Sequence, residues 1–193
     1  MRSFSVNIGV SNKHLHLSAA DLAALFGAEH SLTKTKDLSQ PGQFACAETV
    51  NLIGPKGSLP NVRVLGPIRS ETQVELAQTD AMRIGVKAAL RDSGNLEGTE
   101  GLILEGPSGA RVTIPRGVIR AQRHLHSSLE EAAEYGLCDQ QIVKFRLDGP
   151  RGGVLEQVLV RVRGDYALDL HIDTDEANCL DARNGDRAII IID

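Results

Sequence analysis

Tryptophan is absent from this chain, and four Phe and two Tyr make up an aromatic share of only 3%. Platforms for stacking nucleobases are therefore scarce. The formal net charge of -4 removes the broad basic surface that nucleic-acid binding normally requires, so no nucleic-acid partner is expected. Cysteine is equally sparse. Cys46, Cys138 and Cys179 lie far apart with no C-x-x-C, and their odd number gives no disulfide framework. Reduced thiols in a cytoplasmic protein are the simplest reading, each a small buried apolar residue. No long apolar run is present, at the N-terminus or elsewhere, so no signal peptide, membrane span or membrane partner is expected. Nor is there a Walker A loop, a G-x-G-x-x-G or a G-x-S-x-G elbow.

At 193 residues the chain has room for one large or two small domains. Phe4, Val6, Ile8 and Val10 alternate with smaller or polar residues, a strand pattern. It leads into Lys13-His14-Leu15-His16, which is nearly repeated at Arg123-His124-Leu125-His126. On an extended chain the two His of each pair share one face. Paired imidazoles suit a borderline-soft cation such as zinc better than they suit a core.

Each pair precedes a helix signature. Ser18 and Asp21 open a short helix over 19–26 that stops at Gly27, and Ser128 with Glu131 opens another that stops at Gly136. A third short helix is expected over 80–86, and a turn or helix near 175–180. Elsewhere short apolar runs are punctuated by Pro41-Gly42, Gly54-Pro55-Lys56-Gly57, Gly66-Pro67 and Gly149-Pro150-Arg151-Gly152. Many short strands with such turns favour small barrels over a layered α/β sheet.

The two halves also share their order of parts. Strand, basic-H-L-H, Ser-capped helix, G-P-basic-G hairpin and a later strand recur, and Val74-Glu75-Leu76 rhymes with Leu170-His171-Ile172. An internal duplication accounts for this. It groups His14, His16 and Glu75 in one half and His124, His126 and His171 in the other. Three protein ligands per metal leave open positions, as catalytic sites do. If 69–75 is extended, Arg69 shares a face with Glu75. A guanidinium there is suited to holding phosphate or carboxylate. Lys36 and Arg63 are further, weaker anion candidates. His30 has no sequence partner and is expected at the surface.

These residues bring a family into view. The chain resembles the PduL-type phosphate acyltransferases, the phosphate propanoyltransferase family. The likeness rests on Gly9-Val-Ser-Asn-Lys-His-Leu-His-Leu-Ser18, Gln40-Pro-Gly-Gln-Phe44, Gly66-Pro-Ile-Arg69 with Thr72-Gln-Val-Glu75, Ala121-Gln-Arg-His-Leu-His126 and His171-Ile-Asp-Thr-Asp-Glu-Ala-Asn178. The resemblance implies a mainly β fold of two small barrels capped by short helices, with the N-terminal strand crossing into the C-terminal barrel. Residues 1–12 with 121–193 would form one barrel and residues 13–120 the other. It implies a dinuclear zinc site between them: one zinc on His14, His16 and Glu75 facing the CoA sulfur, the other on His124, His126 and His171 with bound waters. Arg69 matches the family's phosphate-binding arginine, and Ser11, Lys36, Arg63 and Asn178 match positions near coenzyme A.

The implied reaction joins acyl-CoA (propanoyl or acetyl) and phosphate to acyl phosphate and CoA by direct phosphate attack, in a homodimer. Microcompartment members carry an amphipathic extension before the first strand, and here that strand begins by residue 4. A free cytoplasmic enzyme is the resulting expectation. Two other readings suit the same residues. One is a metal-dependent ester or thioester hydrolase. The other is a cupin-like metal-binding protein that is no enzyme, although cupins place the next Glu close to the H-x-H and Glu75 is distant.

Overall fold

The computed structural model describes residues 2–192. The chain opens with β1 (Arg2–Ser11), β2 (His14–His16) and α1 (Ala19–Phe26). Then come β3 (Lys34–Asp37), β4 (Phe44–Gly54), β5 (Gly57–Gly66), β6 (Gln73–Glu75), α2 (Gln78–Ile84), β7 (Ala89–Arg91), β8 (Glu100–Glu105) and β9 (Arg111–Ala121). The second half holds β10 (His124–Ser127), α3 (Leu129–Tyr135), β11 (Ile142–Leu147), β12 (Gly153–Val162), β13 (Asp169–Asp173), α4 (Thr174–Leu180) and β14 (Arg187–Ile192). Over the described residues the fold is mainly β with four short helices.

The described residues divide into two compact units. One comprises residues 2–11, 39–41 and 122–192, and the other residues 12–38 and 42–121. In the first, β1-β13-β10-β12-β11-β14 closes into a six-stranded barrel. In the second, β4-β5-β2-β6-β9-β8 closes in the same way because β8 pairs with both β4 and β9; β3 and β7 attach outside the ring. Closure removes the exposed edges that short strands would otherwise present.

Strand for strand, the pairing sense is the same in both rings. Each H-L-H strand runs parallel to one neighbour (β5 or β12) and antiparallel to the other (β6 or β13). The latter is in turn parallel to β9 in one ring and to β1 in the other. So β1 fills in its barrel the place that β9 fills in the other. Each of these two strands also runs directly into an H-L-H strand that belongs to the opposite unit.

Local chemistry explains the helices. Ser18 accepts a hydrogen bond from the Asp21 N–H at the start of α1, and Ser128 forms a full capping box with Glu131 on α3. Gly136 ends α3 in the left-handed conformation at φ 66. One helix differs from expectation: α2 runs Gln78–Ile84, without a side-chain cap, rather than over 80–86. The turn or helix expected near 175–180 is the helix α4, with its own capping box between Asp173 and Glu176.

Each unit has its own core. Leu15 and Leu125, the centres of the two H-L-H stretches, are fully buried in the two different clusters. Leu15 packs with Leu17, Val64, Val74 and Leu104, and Leu125 with Ile8, Val160, Leu170 and Ile190. Burying each leucine is worth roughly 1.5–3 kcal/mol. Alternation along the strand turns the flanking imidazoles to the opposite face of the wall. Cys46 is buried, and burial pushes its thiol up to about 11, whereas Cys138 and Cys179 are exposed rather than buried; all three are free thiols. Among the described residues no helix is long and apolar enough to cross a membrane.

Candidate metal centres

In the second unit β2 and β6 set the first group. His14 lies directly opposite Glu75 and His16 opposite Gln73. The Nδ1 of His14 is 2.7 Å from the Asn12 carbonyl oxygen, to which it donates, and its Nε2 is 3.5 Å from Oε2 of Glu75. One nitrogen is thus tied to backbone and the other faces the Glu75 carboxylate. Both imidazoles and Glu75 are at most 9% exposed, which rules out a solvated polar edge.

Buried charge governs this group. Burial works against the ionised form of Glu75, yet His14, then His16 and Arg69, outweigh it and hold the carboxyl well below its usual range. Burial also opposes protonation of His14, but Glu75 beside it leaves that imidazole raised. His16 is pushed down to about 3, first by burial and then by the Arg69 guanidinium. It is therefore neutral at physiological pH, the form a metal ligand needs.

Arg69 reaches the group by an unexpected route. The stretch 69–75 is not one extended strand, since β6 begins only at Gln73. Instead the Arg69 N–H donates to the Leu17 carbonyl at 2.9 Å, and Arg69 bridges to Ser18 just beyond the histidines. Its Nη2 then lies 2.9 Å from Nε2 of His16, and its Nη1 donates to Ser93 Oγ at 3.2 Å. Ser93, in the loop after β7, donates to Glu75 Oε1 at 3.1 Å and accepts from Gln73 Nε2 at 2.8 Å. No local pattern marks Ser93. Its place depends on the neighbouring Gly94 N–H, which donates to Gln73 Oε1 at 2.8 Å.

The first unit builds the matching group from β10 and β13. His124 lies opposite His171 and His126 opposite Asp169. The Nδ1 of His124 is 2.7 Å from the Gln122 carbonyl oxygen, and its Nε2 is 3.0 Å from Nε2 of His126. His171 Nε2 is 3.0 Å from Oδ2 of Asp169. Tyr166 sets the edge of this group, its ring 4.4 Å from that of His126 and its hydroxyl accepting from Arg161 at 3.1 Å.

Both triplets fit a metal ion. In each, three donor atoms lie within 4.8 Å of one another, and the donors are imidazole and carboxylate. In both, a backbone carbonyl takes the Nδ1 proton of the first histidine, the usual device for aiming the other nitrogen at a metal. The Nε2 atoms of His124 and His126 lie 3.0 Å apart, close enough for both to face one cation. No thiolate joins either set, which argues against a closed structural zinc.

The remaining candidates belong to neither triplet, although Arg63 lies directly opposite His14 across β5 and β2. Ser11 ends β1 opposite Asp173, and Asn178 is exposed on α4, both in the first unit. In the second unit Lys36 is exposed on β3, and Arg63 donates to the Cys46 carbonyl at 2.8 Å. His30 does not stand alone as expected. Its Nε2 is 2.9 Å from the buried Glu48, and its ring stacks on Phe26.

Comparison with known proteins gives a consistent result. Residues 7–183 match the family model described as phosphate propanoyltransferase. A protein named phosphate propanoyltransferase from Thermotoga maritima is 51% identical over 185 residues, spanning 95% of this chain and 88% of that protein. One of the same name from Rhodopseudomonas palustris is 50% identical over 183 residues, 95% of this chain and 80% of that one. A third, from Salmonella typhimurium, is 48% identical over 185 residues, 95% and 87% of the two chains.

Proposed function

The chain belongs to the phosphate propanoyltransferase family and is an acyltransferase, and from that premise we propose that it interconverts short-chain acyl-CoA plus phosphate with acyl phosphate plus CoA. Propanoyl and acetyl groups are the proposed acyl donors. One observation carries the reading. Arg69, a side chain suited to oxyanions, lies 2.9 Å from His16 within a triplet suited to a cation. That pairing brings an anionic nucleophile and an electrophilic centre together.

Two zinc ions are proposed, one on His14, His16 and Glu75 and one on His124, His126 and His171. When bound, zinc stabilises negative charge developing on the thioester carbonyl oxygen and on the departing thiolate. Arg69 holds phosphate by two N–H donors of its planar fork, and Ser93 keeps that fork in place. Holding phosphate beside the thioester turns an encounter between two solutes into a local step, removing much of the entropic barrier. A phosphate oxygen bonds to the carbonyl carbon, the C–S bond breaks, and the electron pair leaves on the CoA sulfur. Ser11, Lys36, Arg63 and Asn178 are the proposed contacts to CoA.

The test is metal-replete protein with acetyl phosphate or propanoyl phosphate and CoA, following thioester formation and loss of free thiol. Thioester formed only with both substrates, and abolished by chelation, is the expected result. Bound metal with no thioester from either donor overturns it. Phosphate-independent release of CoA from acyl-CoA would mark a hydrolase instead.

A further inference from the structure

Gln73 and Asp169 occupy the same place in the two rings. Each sits opposite the second histidine of its pair, His16 or His126. Each also lies two residues before the third donor, so strand alternation puts its side chain on that donor's face. The contacts follow. Gln73 Nε2 donates to Glu75 Oε1 at 2.5 Å, and His171 Nε2 lies 3.0 Å from Asp169 Oδ2. The residue types are exchanged between the rings. In one, the carboxylate is a donor and the residue behind it is an uncharged amide. In the other, the donor is an uncharged imidazole and the residue behind it is a carboxylate. Each triplet with its supporting residue thus carries one formal negative charge.

Asp169 is 5% exposed, and a carboxylate so placed needs a strong partner. Its neighbour His171 provides one. Asp169 lies outside the triplet itself, which contains His124, His126 and His171. We propose that Asp169 is the positioning residue of the His124, His126 and His171 metal site, supplying from behind His171 the negative charge that Glu75 supplies as a donor in the other unit. Its carboxylate accepts the Nε2 proton of His171, fixing the tautomer whose lone pair is on Nδ1, and stops the ring from turning. Carboxylates behind metal-bound histidines act in this way and also raise ligand basicity. This inference rests on reading the two triplets as zinc sites.

The test is zinc binding. Apo-protein is titrated with Zn²⁺ against a chromophoric chelator, and cobalt-substituted protein is followed by its visible spectrum. Wild-type chain is expected to take two ions. Asp169→Asn keeps the shape and removes the charge; one site should weaken by roughly 10–100-fold while the other is unchanged. His171→Ala should lose one site, and adding Asp169→Asn to it should change nothing more. Wild-type affinity at both sites in Asp169→Asn overturns the proposal. So does an equal further loss in the His171→Ala background, because Asp169 would then act elsewhere. If His171→Ala itself keeps both ions at full affinity, the ligand reading fails first, a different and recognisable result. Should Asp169→Asn not fold, Asp169→Glu keeps the charge and moves it. A cobalt spectrum altered at one site supports the proposal, and an unaltered one overturns it.

Discussion

His14 and His124 make the same bond: each Nδ1 lies 2.7 Å from the carbonyl oxygen two residues before it, at Asn12 and Gln122. Both also stand opposite the third donor of their triplet, Glu75 or His171. The equivalence predicts matched losses. His14→Ala and His124→Ala should each remove one of the two proposed zinc ions and leave the other. Metal analysis of the purified variants checks this, and two ions per chain in either variant would refute that ligand assignment.

On the proposed function, Arg69 separates metal binding from phosphate handling. It lies beside His16 but belongs to neither triplet, so Arg69→Ala should leave zinc content at the wild-type level. Turnover should fall by about 10²–10³-fold, the cost usual for losing one preorganised donor to developing charge. Steady-state kinetics with varied phosphate, beside metal analysis, reads both effects. Loss of zinc would assign Arg69 to the metal site rather than to phosphate.

Gly9 is required by His171 rather than by backbone conformation. Gly9 pairs with His171 across β1 and β13. A Cβ on Gly9 would stand 2.7 Å from His171 Cδ2 and 3.2 Å from Asp169 Oδ2. Such contact is too close, so the ring must move and the neighbouring carboxylate with it. Gly9→Ala should therefore reduce zinc occupancy at the His124, His126 and His171 site, with an overpacking cost of about 1–3 kcal/mol. Zinc titration and thermal unfolding of the variant measure the two effects separately.

How much of this was legible in the residues depended on range. The capped helices were, because Ser18 with Asp21 and Ser128 with Glu131 act within one turn. The two triplets were grouped because imidazoles are rare here and recur in equivalent places. Contacts made by loops were not. Ser93 and Gly94 meet Gln73 and Glu75 from 18 to 21 residues away, with no periodicity to announce it. Arg69 was placed on a strand face by alternation, whereas a backbone bond to Leu17 carries it. The role of Asp169 was equally hidden, because it becomes visible only when the registers of the two rings are compared. His30 was left without a partner because Glu48 is 18 residues away.

That His30 and Glu48 pair gives a pH dependence with a definite sign. Both oxygens of the Glu48 carboxylate accept from the Thr33 N–H, at 3.0 and 3.1 Å, and one lies 2.9 Å from His30 Nε2. Burial alone would raise this carboxyl, but hydrogen bonds from its own backbone N–H, then from Thr33 and His30, outweigh it and leave it lowered. A carboxyl lowered on folding binds its proton more readily when unfolded. Stability from it is therefore present above the unfolded value of about 4.3 and is lost as pH falls through the folded value. Glu48→Gln should consequently be less stable than wild type at pH 7, with a gap that narrows below pH of about 4.3. Denaturant unfolding across that range checks the sign. A gap that stays constant down to pH of about 3 would mean that Glu48 contributes packing rather than charge.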